Sequence, residues 1–445
     1  MTIHTIKEAE DLVYQSFLNA QPFILEADDA LTRDISLARQ LLDAVGSPDK
    51  GLRTILVTGS KGKGSTARLI AALLSHMGWK VGLFTSPHLV HFTERIRVDG
   101  QAISEEDFIR LMGKAAQPIE EISNSLSREH YLGPIGITLT IACLYFKEQK
   151  TDIQVIECGR GGRYDETNVL ENEWAVITPI SLEHVKQLGP TLREITDHKL
   201  GIVKSITRAA FIGRQKENVQ HQIEARLHRR PVFYYERAFA PSNVKMMFSG
   251  TSFDVKTERM TYKDLLVPLL GAFQAENAAL AIKVCEEITE HPLDVELVRE
   301  AFRKVQWPGR CEVIATQPPT LLDGAIHRES AMYLSQLIDH LEVSRIVTLI
   351  AVSDDKDYEG VIDVCAQFSE QLIITEPEHS HKTFPVEALP LAKRKQQKSV
   401  RIIPLREAIK AAKALHPELI LIVGTQTAIG EVKKVYGHSL LNIGK

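Results

Sequence analysis

The stretch ILVTGSKGKGST, residues 55–66, constrains this chain more than any other. An apolar, β-branched run reads as a buried parallel strand that stops at Gly59, and a loop of glycines and lysines leads into the helical pattern ARLIAALLSHMG, apolar at Leu69, Ala72, Leu73 and Met77. Strand, glycine loop and helix in that order predict a phosphate cradle made by Gly59, Ser60, Lys61, Gly62, Lys63, Gly64, Ser65 and Thr66. Glycines let successive backbone N–H groups point inward, the helix N-terminus adds its positive end, Lys63 can reach the outer phosphates, and a hydroxyl can hold Mg2+. The spacing departs from G-x-x-x-x-G-K-[ST], because two residues separate Gly59 from Gly62 and Gly64 stands between Lys63 and Ser65. The loop is therefore a P-loop sub-type; the bland alternative is a solvated Lys/Gly turn.

With 445 residues the chain has room for two or three domains, each with a sizeable core. A net charge of −4 gives no general affinity for nucleic acid or an anionic membrane, so phosphates must be bound locally. The five cysteines are scattered with no CxxC, which fits free thiols in a reducing compartment better than structural zinc. Neither an apolar leader nor a run long enough to span a bilayer is visible, and a cytoplasmic protein is expected.

Along the chain, IKEAEDLVYQSFLNA and DALTRDISLARQLLDAVG read as two helices, the second ending at Gly46. VGLFTS reads as a strand, RIRVDGQAI as a hairpin turning at Asp99-Gly100, and a helix starts at Ser104. GITLTIACLYFK is expected as a buried helix leading to a strand, Ile153–Glu157, and a second glycine-rich loop, GRGGRYDETN. WAVITPI is the next strand, followed by SLEHV. Glu157 and His184 are then expected on strand ends at the carboxyl edge of a parallel sheet, beside the phosphate loop, where open α/β sheets bind ligands. AAFIG, PVFYY, MMFSGTSFDV and LLVPLL predict short strands that form the β-rich end of a first domain, closed by the helix GAFQAENAALAIKVCEEI. Trp307-Pro308-Gly309 breaks the chain, and alternating strands (TLLDGA, RIVTLIAV, QLIITEP, SVRIIP, ELILIVG) and helices predict a second, doubly wound α/β domain.

Phosphoryl transfer needs charge neutralisation, metal ligands and positioning. Lys63 would neutralise charge, and Ser65, Glu157 and His184 would ligate Mg2+, a donor set suited to a hard cation that keeps waters. Each residue alone also has a plain reading, Glu157 as a solvated strand end and His184 as a surface histidine. Lys199, in the helical stretch ITDHKLGIVK, is either a solvated lysine or, carbamylated, a ligand for a second Mg2+. Arg310 and Asp323 either reach across a cleft to a nucleotide or are surface charge.

Taken together, TGSKGKGS, FTSPHLVHFTERIRVDGQAIS, IECGRGGRYDETN, ISLEHVKQLGPTLREITDHKLGI, LLGAFQAENAALA, WPGRCEVI, LLDGA, SDDKDYEG and ITEP resemble, in order and spacing, the folylpolyglutamate synthase/dihydrofolate synthase family of the Mur ligase superfamily. The resemblance spans most of residues 50–440. It implies an α/β architecture of two units: an ATP-binding central domain over 1–305 and a Rossmann-like domain over 306–445, with ATP and substrates in the cleft. It further implies transfer of the γ-phosphoryl group to a substrate carboxylate, attack of an amine (glutamate's in the folate enzymes) on the acyl phosphate, and a monomer whose partners are small molecules. By position, Lys63, His184 and Lys199 take the catalytic places, and Gln274, Asn277, Arg310 and Asp323 the nucleotide contacts. Ser86, Pro87, His88, Arg160, Arg163, Asp165, Ile326 and His327 fall at substrate positions, and Lys356 and Asp357 lie near the incoming amino acid.

The departures from the family pattern are specific. Glu183-His184 replaces Asp-His, GRGGRYDETN replaces GLGGRLDATN and adds Arg160, GPIGITLT lacks a Phe-Glu pair, and Phe273 stands where histidine is usual. DGAHNP becomes DGAIHRES, so Ile326 takes the histidine position and His327 the next, and VGTQTAIGEV replaces a serine-rich motif. These changes gather around the acceptor pocket while Lys63, Ser65, Glu157, His184 and Lys199 remain. Two readings follow: a folate-type ligase, or the same reaction on another acid and amine in a specialised pathway. A catalytically reduced, nucleotide-binding partner subunit would be expected to lose some of the retained residues, and a mechanical or signalling NTPase is disfavoured by the second domain.

Overall fold

The computed structural model describes residues 3–25, 27–378 and 382–445. Its first half is built on β1 (Arg53–Thr58), the strand read from the sequence as buried. Ile55 and Val57 enter one apolar cluster and Leu56 the other, so both faces of the sheet are covered, as a parallel strand of continuous apolar residues requires. With it run β2 (Val81–Phe84), β3 (Ile96–Val98), β4 (Gln101–Ala102), β5 (Ile153–Glu157), β6 (Trp174–Ile177), β7 (Ala209–Ile212) and β8 (Val232–Tyr234), in the order β4-β3-β2-β5-β1-β6-β7-β8. All pairs are parallel except those of β3, which runs antiparallel to both β2 and β4; the Asp99-Gly100 turn of the β3–β4 hairpin has φ of 48° and 81°, both positive, as a two-residue hairpin turn favours.

Helices Ile6–Ala20, Ile35–Ala44, Glu105–Ser125 and Pro134–Gln149 cover one face of this sheet; Lys63–His76, Ala272–Thr289 and Val295–Arg303 cover the other. A small antiparallel sheet of β9 (Phe239–Met247), β10 (Gly250–Thr257) and β11 (Thr261–Val267) packs on the second set. The last sheet contains β12 (Glu312–Thr316), β13 (Pro319–Asp323), β14 (Ile346–Ala351), β15 (Gln371–Ile374), β16 (Val400–Arg401) and β17 (Leu419–Gly424), ordered β12-β13-β17-β14-β15-β16. It is parallel apart from β12 and has an apolar cluster on each face. Among the described residues no helix is long and apolar enough to cross a membrane.

The sequence reading departs from this architecture in several places. DALTRDISLARQLLDAVG is two helices, because Asp28 caps Asp29–Thr32 and Asp34 caps Ile35–Ala44, and each aspartate offers the backbone a fresh start. MMFSGTSFDV is the turn between β9 and β10 rather than one strand, with Gly250 at φ 128°. AAFIG and PVFYY join the main sheet as β7 and β8. The β12 strand and the helices Ala388–Lys395 and Gln426–Val435 were not anticipated.

The small sheet is tied to the helix behind it by a buried network. Tyr262 Oη donates to Glu286 Oε1 (2.7 Å) and accepts from the Leu293 N–H (2.8 Å), while Thr257 Oγ1 donates to the same carboxylate oxygen (2.9 Å). Removing that hydroxyl leaves two buried groups short of a partner. Tyr262→Phe is expected to lower stability by about 1–3 kcal/mol, read as a fall in the urea midpoint at constant slope; an unchanged midpoint would show the network to be dispensable.

Candidate functional site

Strand register places the first carboxylate. Val57 pairs with Glu157 across β1–β5, and Thr58 pairs with Ile177 across β1–β6. The loop that follows Thr58 is therefore flanked by the end of β5 on one side and by residues 178–184 on the other. Ser60 secures the second flank: its N–H donates to Pro179 O (2.8 Å), its Oγ donates to Ser181 O (3.1 Å), and it accepts from the Ser181 N–H (2.9 Å).

Glycine is required in this loop. Gly59 has φ 145° and a Cβ there would collide with Thr178; Gly62, at φ 82°, is the residue before the Lys63–His76 helix, and a Cβ would lie 2.8 Å from Asn277 Oδ1. At Gly64 a Cβ would lie 3.0 Å from the Trp307 ring and 3.3 Å from Glu157 Oε2. Asn277 is further bound to the loop through Thr66 Oγ1 (3.2 Å) and donates to Gln274 Oε1 (3.3 Å); the Gln274 amide nitrogen is buried with no hydrogen-bond partner. Asn277 thus meets the loop directly, and Gln274 lies behind it.

Beneath the loop is a lysine. Lys199, in the Leu192–Leu200 helix, is 0% exposed, and its ammonium donates to Gly59 O (2.7 Å) and Glu183 Oε1 (2.8 Å). Lys63 Nζ donates to the same Gly59 carbonyl (3.1 Å). The solvated reading of Lys199 is excluded, and in this structure its amine is paired to a carboxylate. Burial pulls the Lys199 pKa down against the Glu183 charge, while Glu183 is held below the usual carboxylate range by the Lys199 charge and hydrogen bond, which outweigh its burial.

Glu157 is buried and accepts the Ser86 N–H (3.1 Å); burial raises its pKa against the Lys63 charge. His184 does not sit on a strand end: it lies seven residues beyond β6, at φ 47°, before the short helix Val185–Leu188. Burial, with the charges of Arg160, Lys199 and Lys63, lowers the pKa of its imidazole against the pull of Glu183. Among the described residues no three His, Cys, Asp or Glu side chains form a metal cage. A buried carboxylate against Gly64, the residue before Ser65, nevertheless supplies the oxygen ligand that suits Mg2+ retaining several waters.

The second glycine loop is tied down by charge. Arg160 donates to Asp29 through Nε (3.0 Å) and Nη2 (2.5 Å), Arg33 lies 3.4 Å from Asp29 and 3.6 Å from Asp165, and Asp165 accepts the Arg160 N–H (2.9 Å). Glu166 is buried against Gly133 and its pKa is pushed up to about 7, by burial first. Arg163 is exposed. Asp29, Arg33 and Glu183 were missed by the sequence reading; Glu183 had a signal, its place beside His184, whereas Asp29 opens and Arg33 follows a distant short helix, with none.

On the far side, Arg310 projects its charge onto Glu157 and Asp323. Asp323 accepts the Cys311 N–H (2.8 Å) and thiol (3.2 Å). The loops carrying Ile326, His327, Lys356 and Asp357 meet: Asp357 N–H donates to Ile326 O (3.2 Å), and Asp357 accepts the N–H groups of Arg328 and Gly360 (both 2.9 Å). Lys356 pairs with Asp355 at 3.1 Å. A narrow cleft lined by Thr85, Pro87, His88, Trp307, Arg310 and Gln426 runs between the two halves; a larger surface groove beside Arg193 and Arg226 lies on the outer side of the Leu192–Leu200 helix.

His88 in that cleft accepts from Arg95 Nε at Nδ1 (2.9 Å), and burial, then the Arg95 charge, lowers its pKa to about 4. A basic group depressed on folding contributes stability that is full above its unfolded value of about 6.5 and lost as pH falls toward 4. His88→Gln is expected to flatten this loss, by on the order of 2 kcal/mol between about pH 7 and pH 4.5, measured by urea unfolding; parallel pH curves for the two proteins would contradict it.

The comparisons with known proteins agree with this geometry. Residues 57–285 match the Mur ligase middle domain. A dihydrofolate synthase/folylpolyglutamate synthase of Bacillus subtilis is 35% identical over 73% of this chain and 76% of its own length, and one of Mycobacterium tuberculosis is 30% identical over 91% of both. A solved structure, folylpolyglutamate synthase of Mycobacterium tuberculosis complexed with ADP and AMPPCP, superposes with a TM-score of 0.80 at 26% identity, covering 96% of this chain and 99% of the other. The match to the Mur ligase middle domain and the relatives aligned over most of the chain place it in the dihydrofolate synthase/folylpolyglutamate synthase family of Mur ligases, as an ATP-dependent ligase.

Proposed function

We propose that the chain joins a folate-type carboxylic acid to L-glutamate through an acyl phosphate, with the phosphates of ATP on the 59–66 loop. The observation that carries this reading is the convergence of Lys63 and Lys199 on the Gly59 carbonyl, which stacks two ammonium groups under the loop. Phosphate oxygens arriving there would take over the Lys63 contact, so the cation is already positioned and little reorganisation is needed. Backbone N–H groups of the loop and the N-terminus of the Lys63–His76 helix supply the remaining donors. Mg2+ held by Ser65 and Glu157, with His184 nearby as a neutral ligand, would neutralise charge on the phosphates.

The chemistry assigned to the chain is positioning. The substrate carboxylate attacks the γ-phosphorus and ADP leaves; the amine then attacks the acyl carbon and phosphate leaves, giving an amide. Gln274 and Asn277 are proposed to meet the nucleotide base, Arg310 and Asp323 to close on it from the second sheet, and Lys356 and Asp357 to face the incoming amino acid. Ser86, Pro87 and His88 border the cleft, and Arg160, Arg163 and Asp165 border the acid. Lys199 acts as an ammonium in this reading; the Glu183 partner disfavours an anionic carbamate in the same place, and no second Mg2+ is invoked. All these residues come from one chain, so a monomer suffices.

A second reading, another acid and amine on the same machinery, is favoured by the Asp29, Arg33, Arg160, Asp165 and Glu166 cluster, which gives the acid side a densely charged wall. The assay that separates the two contains purified protein, ATP, Mg2+, dihydropteroate or tetrahydrofolate, and L-glutamate, with products read by mass. Glutamylated product is expected; its absence with every folate acid would leave only the second reading. Lys63→Ala is expected to lower turnover by about a thousandfold or more, and retention of turnover would refute the phosphate-loop assignment. Ile326→His is expected to change the preference among amines or acids, and an unaltered rate and preference would remove Ile326 from the acceptor site.

A further inference from the structure

Two chain segments pass between the first and last sheets, and both end on one arginine. The first is the 304–311 connection; the second is the run after the Gln426–Val435 helix, which turns at Gly437 (φ 72°) and returns to the first sheet. Residues 440–445 lie along β4, the edge strand of that sheet: Ala102 N–H donates to Leu441 O (2.7 Å), Ile443 N–H donates to Gly100 O (3.2 Å), and Gln101 bridges Asn442 in antiparallel sense. Gly100 has to be glycine here, because a Cβ would collide with the Gly444 carbonyl. Leu440 and Ile443 are buried.

Arg68 lies in the Lys63–His76 helix, three residues after Ser65, and is 1% exposed. Its Nη2 donates to the carbonyls of Ile443 (3.0 Å), Gly444 (2.9 Å) and Lys445 (3.0 Å), and its Nε donates to Gln306 O (3.3 Å). Arg97, on β3, is also buried and donates to Leu440 O (2.6 Å) and Leu441 O (3.0 Å). Arg68 thus meets both segments through their backbone oxygens, while burial, with Arg97 nearby, pulls its pKa down. A buried guanidinium is costly to leave unpaired, so its donors hold the connection and the returning strap in one register. Trp307, the next residue after Gln306, presses on Gly64 inside the phosphate loop.

We propose that Arg68 is a positioning residue that couples the phosphate-loop helix to the 304–311 connection and to the 438–445 strap, so that nucleotide on the loop and the placement of the second sheet depend on each other. Through this contact the strap is part of the machinery that brings Arg310 and Lys356 toward the loop. The proposal rests on the phosphate-loop reading and is independent of which acid or amine is used.

The test uses the full chain, AMPPCP with Mg2+, and hydrogen exchange of the Ala102 and Ile443 amides, which donate the two strap hydrogen bonds. In the wild type, AMPPCP is expected to slow both amides at least threefold. Arg68→Gln should abolish this slowing while leaving the affinity for AMPPCP, by calorimetry, within threefold, and Arg68→Lys should restore only part of it. If Arg68→Gln does not fold, Gly100→Ala carries the test, since it displaces the strap without touching Arg68 and should likewise uncouple the exchange from the nucleotide. Equal slowing in the folded variants and the wild type, or no slowing in the wild type with AMPPCP bound, would overturn the proposal. A loss of AMPPCP affinity beyond tenfold in Arg68→Gln would also overturn it, because the residue would then act on the loop itself. Failure of AMPPCP to bind the wild type would instead refute the phosphate-loop reading, and this inference with it.

Discussion

The Lys199 ammonium, shared by the Gly59 carbonyl and the Glu183 carboxylate, is the contact on which the arrangement of the site depends. Taking an ammonium out of water costs several kcal/mol unless close partners replace the solvent. Here the two partners come from the end of β1 and the loop after β6, so the contact joins those segments to the helix that carries the lysine. That helix also backs the second glycine loop, since Gly162 and Gly201 bring the backbones of 162–163 and 198–201 too close for any side chain. One buried cation therefore fixes the phosphate loop, the His184 loop and the Arg160 loop relative to one another. The positive field under the 59–66 loop comes with that structural role.

Much of this was legible because it follows from periodicity and register. Apolar residues at 55–57 and at 153, 155 and 156 give buried parallel strands, and strands of that kind bring their carboxyl ends to one edge. The positions of Gly59 and Glu157 follow from that edge. What could not be read was anything set by a partner distant in sequence. Lys199 looks amphipathic and solvated until Glu183 and Gly59 are seen around it, and Asp29 lies 131 residues from the Arg160 it pairs with. His184 was placed on a strand end because WAVITPI is apolar to Ile180, but β6 stops at Ile177, and Thr178 Oγ1 donates to Thr58 O instead of continuing the apolar face. Two competing aspartate caps split a helix that apolar spacing alone runs together.

The two sides of the cleft differ in how they are made. The side proposed to take the phosphates is built from backbone: glycine φ angles, N–H groups, carbonyls and strand register. The side proposed to take the acid is built from side chains on loops, Asp29, Arg33, Arg160, Asp165 and Glu166, whose charges offset one another. Removing any one of them would strand another in a buried place, so they change as a set or not at all.

This division bears on how specificity can vary at constant energetics. Transfer of a phosphoryl group makes the same demand whatever acid receives it, namely donors at fixed points around a tetrahedral anion, and backbone meets that demand without reference to the acid. Discrimination between acids is a difference of contacts, and a wall of paired charges favours acids whose polar groups replace those pairings and penalises those whose apolar groups would break them. Ile326, His327, Lys356 and Asp357 stand on a third, separate support, two loops of the last sheet joined by the Asp357–Ile326 hydrogen bond. That support packs on an apolar cluster of the last sheet, to which Leu270 and Phe273 of the first half also contribute. In the proposed reading the amine side is therefore borne by the last sheet, whereas the cradle and the acid wall share the buried Lys199 contact.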